Sequence, residues 1–376
     1  MSDSRYLPLP VRCMLWGRSA GRCQFDGCNK PLTYHPETKD PVNIADVSHI
    51  IGFSDDGPRG EEELSEELAR DITNLMLLCK TCHRTVDTDR IKYSVDLLRQ
   101  MKRVHETRVE IATNIGIDKQ SHVLLYGANI GNHTSPVSFD RATIAMFPSR
   151  YPADTTPISL GLINSSLDDR NRTFWELESS NLRTIFDQRV KPRLASGDIT
   201  HLSVIAIAPQ PLLMLLGFLL SDIPAVDVYQ LHREPPDWRW QEHPIGFKYI
   251  IEKPSKITKT PALVFSLSAT INSERVERIL GKDVSIWKFT IEKPNNDFLK
   301  SEQQLSMFRQ QIRILLDRIK SIHGDDCSLN VFPSMPVATA VEFGRVIMPK
   351  ADLPIILYDE NHALGGFQLT TIRLAI

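Results

Sequence analysis

The sequence predicts an α+β domain followed by a larger α/β domain. Its 376 residues exceed what one hydrophobic core normally serves and suit two or three cores. Five of the six cysteines lie in the first 82 residues, which sets the N-terminal part of the chain apart. From about residue 120 the pattern alternates between apolar strands and amphipathic helices. We therefore assign residues 1–115 and 120–376 to the two domains, with a boundary between them.

Composition and charge exclude several classes of protein. With 41% hydrophobic and 24% charged residues, the chain is neither collagen-like nor disordered. A formal net charge of −2 is unlike that of a protein that coats nucleic acid through bulk charge. The N-terminal residues 1–6 lack the apolar core of a secretory signal. We therefore expect a cytoplasmic protein, in which paired cysteines bind metal more often than they form disulfides.

One uncharged segment, Leu202 to Leu220, has the length of a membrane span. Pro209 and Pro211 divide it into a β-branched run and a leucine-rich run. This division predicts a buried strand, a loop and a packed helix, and we expect no membrane association.

The first domain is predicted to contain a strand over Val47–Ile51 and to end in a helix. Leu97, Met101 and further apolar residues recur at helical spacing, Ser94 is a suitable N-cap, and Gly116 a suitable stop. The second domain alternates strands and helices, which predicts a largely parallel sheet with helices on its faces. Its predicted strands are 158–163, 202–208, 226–231, 263–269, 329–332 and 355–358, and its predicted helices are 176–190, 212–221, 302–322 and 337–343.

The second domain repeats itself. Pro209-Gln210-Pro211 follows one strand and precedes Gly217 and the run ending in Tyr229. Pro333-Ser334-Met335-Pro336 follows a later strand and precedes Gly344 and the run ending in Tyr358. The recurrence predicts two similar halves, about 120–255 and 256–376, with ligand space between them or at the strand carboxyl ends. The alternative is chance recurrence of a common strand–proline–helix pattern.

Four cysteines form two closely spaced pairs, Cys23 with Cys28 and Cys79 with Cys82. Short loops between paired cysteines let both sulfurs face one ion, and zinc favours tetrahedral sulfur ligation. The set predicts a closed, structural Zn²⁺ site. Cys13 and Cys327 are interpreted as ordinary buried thiols.

Three polar residues are interleaved with the cysteine pairs: His49 within the predicted strand Val47–Ile51, Asn74 before the second pair, and His83 directly after Cys82. This order, with Ser48-His49-Ile50, Gly57-Pro58-Arg59-Gly60 and Asn74 to His83, resembles the HNH nuclease family and its ββα-metal motif over about residues 10–90. Such a nuclease hydrolyses double-stranded DNA.

The resemblance implies roles for individual residues. His49 would be the general base that activates water, Asn74 would orient it, and His83 would hold a catalytic Mg²⁺ or Mn²⁺. Many family members have a further metal ligand where this chain has Ser48; Asp46 is the candidate replacement. Arg59 is a candidate DNA phosphate contact, the alternative being a solvated loop arginine.

The second domain, with its internal repeat, resembles the SAVED domain. A SAVED domain has two CARF/Rossmann-like halves and senses cyclic oligonucleotides in bacterial antiphage (CBASS) signalling. A nucleotide needs flat surfaces for its bases and cations or amides for its phosphates. Aromatic and basic residues cluster at and just after the end of the predicted strand 226–231. Trp238, Arg233 and Arg239 belong to this cluster, together with some of the candidate ligand-binding residues named next. The candidate ligand-binding residues are Tyr151, Trp175, Gln210, Tyr229, His232, Trp240, Lys248, Pro333 and Tyr358, with plain packing as the alternative reading.

Together the two resemblances imply a DNA endonuclease that a cyclic di- or trinucleotide activates. The order HNH then SAVED also implies a bacterial homo-oligomer, of higher order when ligand is bound. Two other classes stay open: a restriction-type HNH nuclease whose C-terminal domain reads modified DNA, and a non-catalytic zinc-ribbon binder. The His–Asn–His order disfavours the binder, and the doubled α/β pattern disfavours the modified-DNA reader.

Overall fold

The computed structural model of the chain describes residues 7–131, 133, 137–162, 165, 167–361 and 364–374. The chain divides into two units, an N-terminal unit of residues 1–116 and a C-terminal unit of residues 117–376.

The N-terminal unit is a small α+β fold. Its two strands, β1 (Ala45–His49) and β2 (Leu75–Cys79), pair in antiparallel fashion with His49 opposite Leu75. Every residue of β2 is buried, so this strand is the centre of the core. The helices are α1 (Leu9–Ser19), α2 (Leu64–Glu67), α3 (Lys80–Thr88) and α4 (Val95–Asn114).

The predicted helix after the cysteine pairs is α4. Ser94 caps it, because its Oγ accepts a hydrogen bond from the Leu97 amide at 3.3 Å. The helix packs against α1, and His105 Nε2 donates to the Ser19 carbonyl at 3.0 Å. These contacts join α4 to α1 in the core of the N-terminal unit.

The C-terminal unit is an α/β fold with two sheets. Its strands are β3 (Gln120–Gly127), β4 (Tyr151–Pro152), β5 (Ile158–Ser159), β6 (His201–Ile207), β7 (Ala225–Val228), β8 (Ile250–Glu252), β9 (Pro261–Ser266), β10 (Ser285–Thr290), β11 (Leu329–Phe332), β12 (Ile355–Asn361) and β13 (Gly366–Leu374). Its helices are α5 (Phe139–Met146), α6 (Arg172–Arg189), α7 (Lys191–Ala195), α8 (Gln210–Leu220), α9 (Ser273–Leu280), α10 (Glu302–His323) and α11 (Val337–Val346).

Both sheets are largely parallel, as predicted. The first has the order β4-β3-β6-β7, with β5 also beside β3, and all of these pairs are parallel. The second has the order β13-β12-β11-β9-β10-β8; its four central strands are parallel, and the edge strands β13 and β8 are antiparallel. Each sheet therefore directs the carboxyl ends of its parallel strands toward one edge.

The repeated glycines meet where the two halves pack. Helices α8 and α11 follow equivalent strands, β6 and β11, and lie against each other. A Cβ on Gly217 would lie 1.9 Å from the Val341 carbonyl oxygen, and one on Gly344 would lie 2.0 Å from that of Met214. Only glycine permits this approach, and the contact is reciprocal between the halves.

Two elements differ from the sequence expectation. The sequence analysis predicted no strand over residues 120–127, where the structure has β3, an eight-residue strand that pairs with β4, β5 and β6. The strand predicted over 158–163 is only Ile158–Ser159, and part of that range lies outside the described residues. The uncharged segment around Pro209 forms β6 and α8. Within the described ranges, no helix combines the length and apolarity that a membrane crossing needs.

Candidate functional site

The four paired cysteines converge in the N-terminal unit. Cys23 and Cys28 lie in the loop after α1, Cys79 ends β2, and Cys82 lies in the first turn of α3. Their sulfur atoms all lie within 4.8 Å of one another, and those of Cys28 and Cys79 are 4.0 Å apart. Zinc–sulfur bonds of about 2.3 Å place tetrahedral sulfurs about 3.8 Å apart, so the four thiols fit one zinc ion.

Backbone amides also point at this cluster. The Cys79 amide donates to the Cys23 sulfur at 3.3 Å, and the Cys82 amide donates to the Cys79 sulfur at 3.5 Å. Amide donors stabilise negative charge on sulfur, which favours the thiolate form that a metal requires. Gly27 has a φ of 76°, which allows the tight loop between Cys23 and Cys28.

His49 ends β1 and faces a cavity of about 660 Å³. Its Nε2 is 2.9 Å from the Ala69 carbonyl oxygen, which can only accept, so Nε2 carries the proton of the neutral ring. Nδ1 is then the unprotonated nitrogen, and it has no hydrogen-bond partner among the described residues. Burial lowers the pKa of His49, and the nearby His83 lowers it further. The ring is therefore neutral at pH 7 and able to take a proton at Nδ1.

Asn74 supports His49 through the main chain. Its Oδ1 accepts from the Ile51 amide at 2.7 Å, and its Nδ2 donates to the Ile51 carbonyl at 2.9 Å and to the Leu68 carbonyl at 3.2 Å. These bonds hold the chain two residues beyond His49 and do not reach the ring. Asn74 thus orients His49 indirectly, by fixing the segment that carries it.

His83 lies on α3 between two carboxylates. Its Nδ1 is 3.2 Å from Asp46 Oδ2, and its Nε2 is 3.3 Å from Asp87 Oδ2. His83 and Asp87 line the same cavity as His49. The sequence analysis missed Asp87, although its position four residues after His83 places both on one helix face. Ser48 is buried, and its Oγ has no hydrogen-bond partner among the described residues.

Arg59 lies inside the N-terminal unit, which differs from the expected DNA phosphate contact. Its side chain is only 4% exposed. Nε donates to the Ile50 carbonyl at 2.9 Å, Nη1 to the Val86 carbonyl at 2.6 Å, and Nη2 to Asp87 Oδ1 at 2.8 Å. With its donors satisfied internally, the guanidinium joins the end of β1 to α3 and holds Asp87 in place.

The C-terminal unit contains a cavity of about 820 Å³, which we call the sensor cavity. It lies beyond the carboxyl ends of β6, β7, β11 and β12 and beside the N-termini of α8 and α11. This is the predicted place for ligand space, since open α/β sheets bind ligands at that edge. Its charged or polar lining includes Arg141, Asp169, Gln210, Gln230, His232, Arg233, Glu234, Ser268, Asn296, Ser334, Asp359 and Glu360.

Two of the nine predicted ligand residues, Gln210 and His232, line the sensor cavity. Gln210 also joins the two halves, because its Oε1 accepts from the Met335 amide at 3.0 Å. His232 is 1% exposed, and neither ring nitrogen has a hydrogen-bond partner in the described part of the chain. Burial and the nearby Lys300 lower the pKa of His232.

The other seven predicted ligand residues do not line the sensor cavity, because most of them serve the core. Trp175 is buried and donates to the Asp169 carbonyl at 3.0 Å. Tyr358 is buried, donates to Asn330 Oδ1 at 3.1 Å, and stacks on Phe332. The remaining five are Tyr229 and Pro333, which are buried, Tyr151, paired at the amino end of β3, Trp240, packed edge-on to His232, and Lys248, which is exposed.

Acidic side chains are the main feature that the sequence analysis missed in the sensor cavity. Asp359 directly follows Tyr358 at the carboxyl end of β12, and Asp169 precedes α6. Burial and the charge of Asp169 raise the pKa of Asp359 to about 8. The only sequence signal was the position of Asp359 directly after a predicted strand.

A family model matches residues 182–371, half of the chain. It is the SMODS-associated and fused to various effectors sensor domain, abbreviated SAVED. The chain belongs to the SAVED family. The match lies within the C-terminal unit, and it includes all of the sensor-cavity lining except Ile130, Arg141 and Asp169. The N-terminal unit lies outside the matched residues.

Several solved SAVED structures are similar to this chain at low identity. One is the Acinetobacter baumannii Cap4 SAVED/CARF-domain containing receptor with the cyclic trinucleotide 2'3'3'-cAAA, at a TM-score of 0.44 and 14% identity over 84% of this chain and 67% of that chain. The same receptor with 3'3'3'-cAAA matches at a TM-score of 0.44 and 13% identity, over 85% of this chain and 68% of that chain. The Moraxella osloensis Cap4 SAVED/CARF-domain containing receptor matches at a TM-score of 0.38 and 12% identity, over 78% of this chain and 60% of that chain. No curated protein matches the chain.

Proposed function

We propose that this SAVED protein is a metal-dependent DNA endonuclease that a cyclic oligonucleotide activates, acting in bacterial antiphage defence. The observation that carries the nuclease half is the single cavity shared by His49, His83 and Asp87. The observation that carries the sensor half is a SAVED unit with a cavity of about 820 Å³ at the strand carboxyl ends.

The sensor cavity suits a cyclic di- or trinucleotide. Its volume lies in the range of small-molecule sites, about 300–1,000 Å³. Arg141 and Arg233 are exposed at the cavity and supply positive charge for phosphates. The relatives with bound cyclic trinucleotides agree with this ligand class.

In the proposed reaction His49 acts as the general base. Its Nδ1 takes a proton from the water that attacks a DNA phosphate, while the Nε2–H bond to Ala69 keeps the ring in the required tautomer. Asn74 and Arg59 hold the surrounding chain, so the ring needs no rearrangement before reaction.

The catalytic cation, Mg²⁺ or Mn²⁺, would be held by His83 with Asp87 or Asp46. A nitrogen–oxygen separation of 3.2–3.3 Å is close to the edge of about 3 Å between neighbouring ligands of an octahedral ion. Asp87 is the better partner, because it lines the same cavity as His49 and His83. When bound, the cation supplies positive charge that stabilises the leaving oxygen.

The four-cysteine cluster would hold a structural Zn²⁺ that supports folding of the N-terminal unit. With all four positions filled by sulfur, the ion would have no open site and no part in the reaction. We further propose that the chain acts in the cytoplasm as a homo-oligomer, and that ligand binding raises its order and brings N-terminal units together on double-stranded DNA.

The test uses supercoiled plasmid, Mg²⁺ and a panel of cyclic di- and trinucleotides. We expect cleavage by the wild-type chain with at least one member of the panel, and its loss in His49→Ala. The matched control is His35→Ala, which changes an exposed histidine of the same unit. Equal cleavage by wild type and His49→Ala would contradict the assignment of the base. DNA binding without cleavage in any condition would favour the zinc-ribbon binder, and cleavage limited to modified DNA would favour the restriction-type nuclease.

A further inference from the structure

The cavity of about 660 Å³ around His49, which we call the nuclease cavity, is bordered by more than the proposed catalytic residues. Every second residue of β1 lines it, from Ala45 to His49, because alternate side chains of a strand share one face. Helix α3 contributes His83 and Asp87, and helix α1 contributes Arg12. A DNA phosphate that reaches His49 therefore enters a space that α1 also borders.

The packing of α1 turns Arg12 toward this cavity. Leu15 and Ser19 are four residues apart and buried, so their row of the helix faces the core. Arg12 and Trp16 are also four residues apart, which places them together on a neighbouring face of the helix. Both residues of this second row line the nuclease cavity. The position of Arg12 therefore follows from the way the helix is anchored in the core.

The charge of Arg12 is not used within the N-terminal unit. The side chain is exposed, and it has neither a hydrogen bond nor an ion pair with any residue that the structure describes. Among the described residues that line the nuclease cavity, Arg12 is the only arginine or lysine. Arg12 lies in the first turn of α1, which has no acidic residue, so the positive end of the helix dipole adds to its charge. This combination suits an anion in the cavity and does nothing to stabilise the helix.

We propose that Arg12 binds a backbone phosphate of the DNA strand that is cut, and so has the role for which the sequence analysis named Arg59. A guanidinium offers five N–H donors and can contact a phosphate through two of them, which would hold the strand beside His49. Arg59 is unsuited to this role, because its donors are committed to carbonyls of the unit and to Asp87. A phosphate contact carries no sequence information, so DNA of any sequence would be held equally. This inference rests on the proposed function, because it assumes that the cavity cleaves DNA.

The test measures binding of a fluorescent DNA duplex to the full chain by anisotropy, over a range of KCl concentrations and with the panel of cyclic di- and trinucleotides present. All chains in this assay carry His49→Ala, which should bind DNA without cutting it. We expect Arg12→Gln to weaken binding about tenfold and to reduce the slope of log affinity against log salt by about 0.9, the value for one phosphate contact. Arg12→Lys keeps the charge and should retain the slope. The matched control is Arg18→Gln, which changes an exposed arginine of the same helix outside the cavity lining and should alter neither quantity.

The outcomes separate this inference from the proposed function. If Arg12→Gln leaves affinity and slope unchanged, or loses no more than Arg18→Gln does, Arg12 is a solvated surface residue and the inference is wrong while the nuclease function stands. A loss on one duplex but not on a second of unrelated sequence would also overturn it, because Arg12 would then contact a base. Slower plasmid cleavage with unchanged DNA binding would overturn it as well. If the chain binds no DNA at any salt concentration, the nuclease function and this inference fail together.

Discussion

The crossing of α8 and α11 gives the most direct stability prediction. Gly217→Ala would place a Cβ 1.9 Å from the Val341 carbonyl oxygen, about 1.5 Å closer than an ordinary contact. Because the obstacle is backbone, the two helices must separate along their contact. Overpacking of this kind costs about 1–3 kcal/mol or more, against a gain of about 1 kcal/mol in helix propensity. We expect a net loss of about 2 kcal/mol.

The assay is thermal unfolding of the full chain. For a unit of this size, a loss of about 2 kcal/mol lowers the midpoint by about 4–8 °C. Gly344→Ala should behave similarly, because its Cβ would lie 2.0 Å from the Met214 oxygen. The double variant should lose less than the sum, because one separation of the helices relieves both clashes.

The matched control is Gly17→Ala in α1, where an added Cβ meets no atom within 4 Å. This change should leave the N-terminal unit as stable or up to about 1 kcal/mol more stable. An unchanged or raised midpoint for Gly217→Ala, with Gly17→Ala behaving as expected, would refute the close crossing of the two helices.

Three further predictions concern other buried groups. Burial raises the pKa of Glu178 to about 7, and its Oε2 has no partner within the described chain; the folded state therefore holds the proton that the unfolded state releases. Stability should fall by about 3 kcal/mol as pH rises from about 4.5 to 7, and Glu178→Gln should remove that fall in urea titrations at several pH values. Cys79→Ser should release one Zn²⁺ per chain and unfold the N-terminal unit, as followed by metal analysis and circular dichroism; retained zinc would contradict the assignment. Arg59→Ala should destabilise that unit by about 1–3 kcal/mol, because it leaves the Ile50 and Val86 carbonyls and one Asp87 oxygen without their donor, and a loss confined to DNA affinity would contradict the buried role.

Spacing in the sequence predicted those parts of the fold that depend on local pattern. The Ser94 cap and the strand–proline–helix order around Pro209 each lie within a few residues of where the pattern placed them. The two largely parallel sheets followed from the same alternation. Short-range rules suffice here because hydrophobic periodicity and capping act over one or two turns.

Side-chain direction could not be predicted in the same way. Trp175 and Tyr358 have the composition of a base-binding surface, yet the packing around β11 and α6 buries them in the core. Arg59 turns inward because carbonyls distant in sequence accept its hydrogen bonds. Asp169 and Asp359 line one cavity from two halves of the unit, which no local pattern reports.

The measurement that tests the central claim most directly is the rate of plasmid cleavage by the full chain in Mg²⁺, with and without a cyclic oligonucleotide that it binds. The proposed function predicts little cleavage without the messenger and a strong increase with it. His49→Ala should abolish the increase without changing messenger affinity, because His49 lies in the N-terminal unit. Cleavage that proceeds at one rate with and without every bound messenger would contradict the claim that the SAVED unit controls the nuclease.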